Sequence, residues 1–158
     1  MKPWEEIEIN DVLEYWTEKI DAKLLNAKNF ISADNMIANK GGIFESNYVP
    51  TLGKVNSFYK NNILVSNIRP YFKKIWFANT NGGCSNDVLV FKLKNVEVEP
   101  KFLYYQLSKD EFFDYMMSGA NGTKMPRGNK KSILRYRFLL PPLITQRKII
   151  STLSSYDN

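Results

Sequence analysis

Residues 63–93 of the chain read ILVSNIRPYFKKIWFANTNGGCSNDVLVFKL, and this stretch decides the fold. It contains three runs of β-branched and aromatic residues, at 63–68, 75–78 and 88–93. Such a composition favours strands. The connections 69–74 and 79–86 contain Pro, Gly and Asn, which end strands and form turns. We therefore predict three successive strands joined by two loops that are candidate contact surfaces.

Helices are predicted on both sides of these strands. On the N-terminal side, Asn10 or Asp11 can cap a helix. The apolar residues of that helix fall on one face: Val12, Leu13, Trp16 and Ile20. On the C-terminal side, Pro100 suits the first turn of a mostly apolar helix that continues to about Met117. Residues 21–57 lack a sustained period, so we expect loops and short strands there.

The C-terminal part predicts another strand and the start of a helix. Apolar residues alternate with Arg135 and Arg137 over 134–140, as in a strand with one buried face, and Pro141-Pro142 ends it. Helical spacing then relates four residues of the last segment: Gln146, Ile149, Ile150 and Leu153. Together these elements predict a single domain of the mixed α+β class, with a twisted, largely antiparallel sheet flanked by helices.

Composition excludes several classes of function. The sequence has no His and only one Cys, Cys84, which excludes Ser-His and Cys-His nucleophilic pairs as well as His- or Cys-cluster zinc sites. The carboxylates Asp110, Glu111 and Asp114 are typical of a solvated helix face rather than of a metal site. No apolar run approaches the roughly 18 residues of a membrane span, and residues 1–10 do not resemble a signal peptide. We expect a cytoplasmic protein without membrane contact.

The charge of the chain favours a polyanionic partner. Lys and Arg number 22 against 16 Asp and Glu, a net charge of +6. Residues 124–137 contain no acidic residue and are rich in cations: Lys124, Arg127, Lys130, Lys131, Arg135 and Arg137. A solvated basic turn would have the same composition, so charge alone leaves nucleic-acid binding and simple solubility both open.

Three stretches, in matching order and spacing, resemble the specificity subunits of type I restriction-modification systems. They are ILVSNIRPYFKKIW at 63–76, the glycine-punctuated loop 119–131, and LPPLITQRKI at 140–149. The resemblance covers roughly residues 55–153. Thr145 stands where the family usually has an acidic residue. Full members carry two recognition domains separated by long helices, so this chain corresponds to a half-subunit or a fragment.

The resemblance implies a DNA target recognition domain over residues 1–142 and the start of a conserved coiled-coil helix over 143–158. Such a domain reads double-stranded DNA, whereas partner modification and restriction subunits methylate and cleave it. No catalytic residue, metal or cofactor is expected here, since S-adenosylmethionine, ATP and magnesium would belong to the partners. A second recognition domain or a second copy would pack on the helix seam of Gln146, Ile149, Ile150 and Leu153.

Two alternative functions stay open at this point. One is the recognition domain of a single-chain restriction-modification enzyme. The other is a general nucleic-acid-binding module that takes RNA or an acidic protein. Neither the target bases nor the oligomeric state follows from residue types, because base choice depends on loop geometry and DNA shape as well.

The candidate DNA-binding residues lie on three loops. Lysines hold phosphates as point charges, whereas Arg and Asn side chains can reach base edges. Phosphate contacts are predicted for Arg69, Lys73, Lys74, Lys124, Lys130 and Lys131. Base contacts are predicted for Asn81, Ser85, Asn86, Arg127 and Asn129. Gly128 would let the loop backbone approach DNA closely, although surface solubility and tight-turn geometry explain several of these residues equally well.

Overall fold

The computed structural model describes residues 3–94, 96–120 and 126–156. The strands in these ranges are β1 Glu5–Glu8, β2 Leu13–Tyr15, β3 Lys19–Asp21, β4 Phe30–Ile31, β5 Met36–Ile37, β6 Gly42–Ile43, β7 Lys54–Phe58, β8 Ile63–Ser66, β9 Ile75–Phe77, β10 Gly82–Cys84, β11 Val88–Leu93 and β12 Arg137–Leu140. The α-helices are α1 Ile9–Val12, α2 Pro100–Leu107, α3 Asp110–Ser118, α4 Lys130–Ile133 and α5 Leu143–Ser154. Helices and strands are therefore interspersed along the chain.

The three strands predicted within 63–93 form the centre of the fold, which confirms that prediction. β8 pairs antiparallel with both β9 and β11, and β2 extends the sheet beyond β11. Alternate residues of β8 enter different apolar clusters, since Ile63 and Val65 belong to one and Leu64 to the other. β8 is thus buried on both faces, which explains why Ile63, Leu64 and Val65 are apolar in succession instead of alternating with polar residues.

One face of this central sheet packs against helices and the other against a second sheet. The first apolar cluster includes Phe102 of α2 and Phe112 of α3. The second joins Leu64 and Trp76 of the central sheet to Phe58 of β7. Burying an apolar side chain of this size stabilises the fold by about 1.5–3 kcal/mol. The resulting three layers give the loops at the sheet ends a rigid support.

The second sheet contains a strand where a loop was predicted. Its order is β3-β7-β10-β4, antiparallel except for the parallel pair β10 and β4. The prediction of a loop over 79–86 is wrong for β10, whose glycines serve close packing and not a turn. A Cβ on Gly82 would lie 2.1 Å from the carbonyl oxygen of Asn29, and one on Gly83 would lie 2.8 Å from the side chain of Val55.

The predicted N-terminal helix is wrong beyond Val12. The helix α1 is a single turn with a capping box formed by Glu8 and Asp11. The chain then extends into β2, where Leu13 pairs with Leu93, and the Trp16 N–H donates to the carbonyl oxygen of Val90 at 2.8 Å. Pairing with β11 overrides the helical spacing, because a propensity pattern is weaker than tertiary hydrogen bonding and burial.

Two boundaries in the C-terminal half also differ from the predictions. The predicted helix from Pro100 to Met117 is divided, because α2 ends at Leu107 and Lys109 caps α3 in an extended conformation. The predicted strand over 134–140 begins only at Arg137. The residues before it still turn after α4, and the N–H of Tyr136 donates to the carbonyl oxygen of Ile133 at 3.1 Å.

The mixed α+β class is confirmed, with the strands distributed among separate small sheets. Besides the two four-stranded sheets, β1 pairs with β12 and β5 pairs with β6, both antiparallel. Antiparallel pairs thus dominate, as predicted. None of the helices in the described ranges has the length and apolarity to cross a membrane.

Candidate nucleic-acid interface

One asparagine side chain joins two of the predicted contact loops. Asn67, just after β8, donates from Nδ2 to the carbonyl oxygen of Gly128 at 3.1 Å. Its Oδ1 accepts from the Gly128 N–H at 2.9 Å. The neighbouring residues Ile68 and Arg127 form an antiparallel β-bridge. The loop 69–74 and the described end of the loop 119–131, residues 126–131, which we call the basic loop, are therefore held together as one unit.

The missing side chain of Gly128 permits this internal contact. A Cβ at this position would lie 2.8 Å from Oδ1 of Asn67 and 2.9 Å from Cδ1 of Ile133. Gly128 is buried, so the close approach that glycine allows here is to Asn67 and Ile133. This differs from the role suggested by the sequence, in which Gly128 would bring the backbone near DNA.

The loop between β10 and β11 reaches the same place. The backbone N–H of Asn67 donates to the carbonyl oxygen of Asp87 at 2.8 Å. The Asp87 Oδ1 lies 3.6 Å from the terminal nitrogen of Arg127, and their side chains are 40% and 58% exposed. All three predicted contact loops thus converge around Asn67, and we call this region the convergence site.

Two clefts border the convergence site, and different residues of the segment 85–87 line each of them. The first has a volume of about 640 Å³ and is lined by Ser85 and Asp87 together with the exposed rings of Phe44 and Tyr48. The second has a volume of about 360 Å³ and includes Asn86 and Lys130. Two predicted base contacts, Ser85 and Asn86, therefore face different clefts.

The basic loop ends where α4 begins. The Oδ1 of Asn129 accepts from the Ser132 N–H at 3.0 Å and caps this turn, so its amide oxygen is already used. Lys130 Nζ lies 5.2 Å from the ring centre of Tyr15, whose hydroxyl donates to the Lys130 carbonyl oxygen at 2.8 Å. Burial raises the pKa of Tyr15 above its ordinary value, which keeps that donor protonated. Lys131 is exposed.

Lys73 binds a carboxylate in the free protein. Its Nζ lies 3.0 Å from Oδ1 of Asp110 on α3, and the Nζ of Lys40 lies 2.9 Å from the same oxygen. Hydrogen bonds from Lys40 and then from Lys73 hold the pKa of Asp110 below its ordinary value. One carboxylate therefore neutralises only part of the charge of two lysines.

The other two cations of this loop make contacts close to the sheet. Lys74 Nζ donates to the carbonyl oxygen of Ala33 at 2.6 Å. Arg69 donates to the hydroxyl of Tyr71 at 3.0 Å. Both cations also lie over the ring of Phe72, at 5.9 Å for Arg69 and 5.5 Å for Lys74. These contacts orient the two side chains before any ligand binds.

One predicted DNA-binding residue, Asn81, is not brought to the convergence site. The Oδ1 of Asn81 accepts from the Lys60 N–H at 2.9 Å, which secures the turn between β7 and β8. Asn81 precedes β10 and Ser85 follows it, so the two residues stand at opposite ends of that strand. Lys124 lies outside the described residues.

The predicted helix seam largely contacts its own domain. Gln146 is buried, with Oε1 accepting from the Glu99 N–H at 2.9 Å and Nε2 donating to the Pro141 carbonyl oxygen at 2.9 Å. Ile149 and Ile150 are partly buried against the first apolar cluster. The fourth member, Leu153, is 37% exposed.

Sequence reasoning missed Asn67 and Asp87. For Asn67 the sequence carries no signal, because its partner Gly128 lies 61 positions away. For Asp87 a signal existed, since it is the only acidic residue between positions 46 and 96. The net charge of the chain does not reveal such a residue, because it sums all Lys, Arg, Asp and Glu without regard to their positions.

The described residues offer little for metal or thiol chemistry. Within them no group of three or more His, Cys, Asp and Glu side chains is placed to hold a metal ion. Cys84 is buried, and burial raises its pKa to about 12. Its thiol is therefore protonated and unreactive at neutral pH.

A rigid α+β scaffold that presents cationic and amide side chains on converging loops is typical of a DNA-reading domain. The chain belongs to the family of type I restriction modification DNA specificity domains, whose sequence model matches residues 1–158. The resemblance stated from the three sequence stretches is thereby confirmed.

Two curated relatives are specificity subunits by name. The chain is 30% identical over 95 residues to the type I restriction enzyme EcoDI specificity subunit of Escherichia coli, covering 60% of this chain and 21% of that protein. It is 28% identical over 160 residues to the MjaVIII specificity subunit of Methanocaldococcus jannaschii, covering 98% of this chain and 36% of that protein. The chain thus spans about a fifth to a third of these relatives.

Solved structures share the fold. The HsdS subunit from Thermoanaerobacter tengcongensis superposes with a TM-score of 0.69 at 17% identity, covering 97% of this chain and 41% of that one. The S subunit from M. genitalium gives 0.69 at 19% identity, covering 98% and 39%. A chain from a study of type I R-M complex assembly and conformational transition gives 0.75 at 19% identity, covering 97% and 42%.

Proposed function

We propose that this chain reads base sequence in double-stranded DNA as a target recognition domain of a type I restriction-modification specificity subunit. The observation that carries the proposal is the convergence of three loops around Asn67, which places Arg127 beside the segment that carries Ser85 and Asn86. Membership of the DNA specificity domain family supports it. The domain covers residues 1–142, and residues 143–158 begin the helix that links it to its partners.

Phosphate and base contacts are divided among the loops. Lys73, Lys130 and Lys131 hold phosphates, with Lys74 and Lys124 in the same role, because a point charge without a fixed geometry suits the uniform backbone. Arg69 holds a phosphate through the fork of its guanidinium. Arg127, Ser85 and Asn86 reach base edges. Asn129 contributes through the cap that sets the direction of α4, and Asn81 stands at the far end of β10.

The chain directs catalysis without performing it. Its sequence offers no His and one buried Cys, so neither a Ser-His or Cys-His nucleophilic pair nor a His- or Cys-cluster zinc site can be assembled from it. Methylation and cleavage belong to modification and restriction subunits that carry S-adenosylmethionine, ATP and magnesium. The protein acts in the cytoplasm, and a second recognition domain or a second copy supplies the other half of the DNA target.

Selection from a library of randomised DNA duplexes tests this function directly. Repeated rounds with the purified chain should enrich one short motif, and excess unlabelled duplex should compete better than excess RNA of equal length. Recovery of no motif, or preferential binding to RNA, would overturn the proposal in favour of a general nucleic-acid-binding module. Cleavage or methylation of DNA by the chain alone would point instead to a single-chain enzyme.

A further inference from the structure

Asp87 is the feature of the convergence site that a phosphate-binding surface does not explain. A carboxylate repels phosphates, yet Asp87 is the only acidic residue from 46 to 96 and lies beside Arg127. The pair is well exposed on both sides, so it contributes little to stability. Since neither folding nor phosphate attraction accounts for Asp87, its position calls for a third explanation.

The backbones that carry this pair are fixed from both sides. Asp87 accepts a hydrogen bond from the Asn67 N–H through its carbonyl oxygen, and Asn67 holds Gly128 through two further bonds. Arg127 is bridged to Ile68 through the backbone. The two side chains therefore start from rigid positions, while their charged ends remain accessible.

The chemistry of the pair matches one kind of base pair. An ionised carboxylate only accepts hydrogen bonds, and a guanidinium only donates them. In the major groove a G·C pair presents both complements side by side, namely the cytosine N4 amino donor and the guanine O6 and N7 acceptors. The minor groove of a G·C pair also presents a donor, the guanine N2 amino group, beside acceptors, but its pattern is nearly the same for G·C and C·G, so a side-chain pair that reads the orientation of the base pair uses the major groove.

We propose that Asp87 and Arg127 together read one G·C base pair through the major groove, with Asp87 accepting from cytosine N4 and Arg127 donating to guanine O6 and N7. This inference rests on the proposed function. In the free protein the two side chains form a weak ion pair at 3.6 Å, and on binding they exchange that contact for the base edges. Asp87 also repels phosphate, which disfavours non-specific binding at this spot.

Variants of the two residues test the assignment. The motif selected by the wild-type chain should contain a G·C pair that the Asp87→Asn and Arg127→Ala variants no longer select, with a loss of discrimination of about tenfold at that position only. Asp34→Asn is the matched control, because Asp34 is exposed, lines the same cleft as Asp87 and forms no ion pair among the described residues. Asp87→Asn and Asp34→Asn each remove one negative charge, so both variants should bind scrambled duplex more tightly than wild type. Only Asp87→Asn should change the base preference.

Base analogues at the selected pair distinguish the grooves. Replacing the guanine with 7-deazaguanine removes the N7 acceptor and should weaken binding by the wild-type chain but not by Arg127→Ala. Replacing it with inosine changes only the minor groove and should leave wild-type binding unaltered. All variants change exposed side chains, so thermal melting should show them folded.

The experiments distinguish DNA reading by the chain from G·C reading by Asp87 and Arg127. If the wild-type chain selects no motif, the proposed function is wrong. If it selects a motif but Asp87→Asn and Arg127→Ala keep every base preference, or if inosine weakens binding as much as 7-deazaguanine, the reading by this pair is wrong while the proposed function stands.

Discussion

At the scale of single residues, the candidate interface depends on a buried amide. Asn67 makes two side-chain hydrogen bonds to Gly128 and one backbone bond to Asp87. None of its partners is near it in sequence, so one residue sets the relative positions of three loops. The cations that bind DNA in our proposal are therefore placed by an uncharged residue that need not touch DNA.

Replacing Asn67 with Ala should destabilise the protein and loosen the convergence site. The Gly128 N–H would lose its acceptor while buried, a loss that costs about 1–3 kcal/mol. Urea unfolding measures this, with Asn47→Ala as the control, because Asn47 is exposed and should change stability by less than about 0.5 kcal/mol. Equal effects of the two substitutions would show that the amide does not hold the loops.

Removing the carboxylate of Asp110 should flatten the pH dependence of stability in acid. The folded pKa of Asp110 is lowered by Lys40 and Lys73, so its stabilising effect is present above the unfolded pKa of about 3.9 and is lost as pH falls through the folded pKa. Asp110→Asn should therefore melt lower than wild type at pH 7, with the difference shrinking as the pH is taken below about 4.

Asp114→Asn is the control for this experiment, since Asp114 is exposed on the same helix and forms no ion pair within the described ranges. Its melting temperature should follow wild type at both pH values. High salt should reduce the Asp110 effect because the pair is exposed. A difference between Asp110→Asn and wild type that persists unchanged in acid would contradict the assignment.

At the scale of elements, the sequence predicted strands better than helices. The runs at 63–68, 75–78 and 88–93 became β8, β9 and β11 because two-sided burial demands continuous apolar residues, a pattern that is visible locally. The prediction of a longer N-terminal helix was wrong because β2 pairs with β11, a segment about 80 residues away, and a local sequence period carries no information on such a distant pairing.

The candidate site was predictable in composition but not in assembly. The loops 69–74 and 119–131 were found from charge and from family resemblance, and the structure brings the described end of the second loop, residues 126–131, beside the first. Ser85 and Asn86 join them, whereas Asn81 does not, because the glycines before Ser85 form a buried strand that separates the two ends of the predicted loop. Close backbone packing, rather than turn formation, is the property of glycine that was missed.

The helix α5 should leave the chain mainly monomeric. Gln146, Ile149 and Ile150 already contact their own domain, so Leu153 is the most exposed of the four seam residues. A coiled coil needs a repeated apolar seam that faces a partner. Light scattering over a range of concentrations should give the monomer mass, whereas a tight dimer would show that α5 releases its own domain to pair.

At the scale of the whole molecule, a three-layer core supports one basic and amide-rich surface. The central sheet is buried on both faces, and the loops that leave the ends of β8 and β10 carry the predicted contacts. A net charge of +6 draws the protein to any polyanion, so attraction alone does not make it a reader of sequence. Reading requires that the convergence site distinguish one duplex from another at equal charge.

The most direct test compares the selected duplex with a scrambled copy of the same length while salt is varied. If the lysines and Arg69 neutralise about six phosphates, affinity for both duplexes should fall roughly a thousandfold between about 50 and 200 mM salt. The preference for the selected duplex should persist throughout, because base contacts are less sensitive to salt than phosphate contacts are. A flat salt response, or equal affinity for the two duplexes at every salt concentration, would contradict the account.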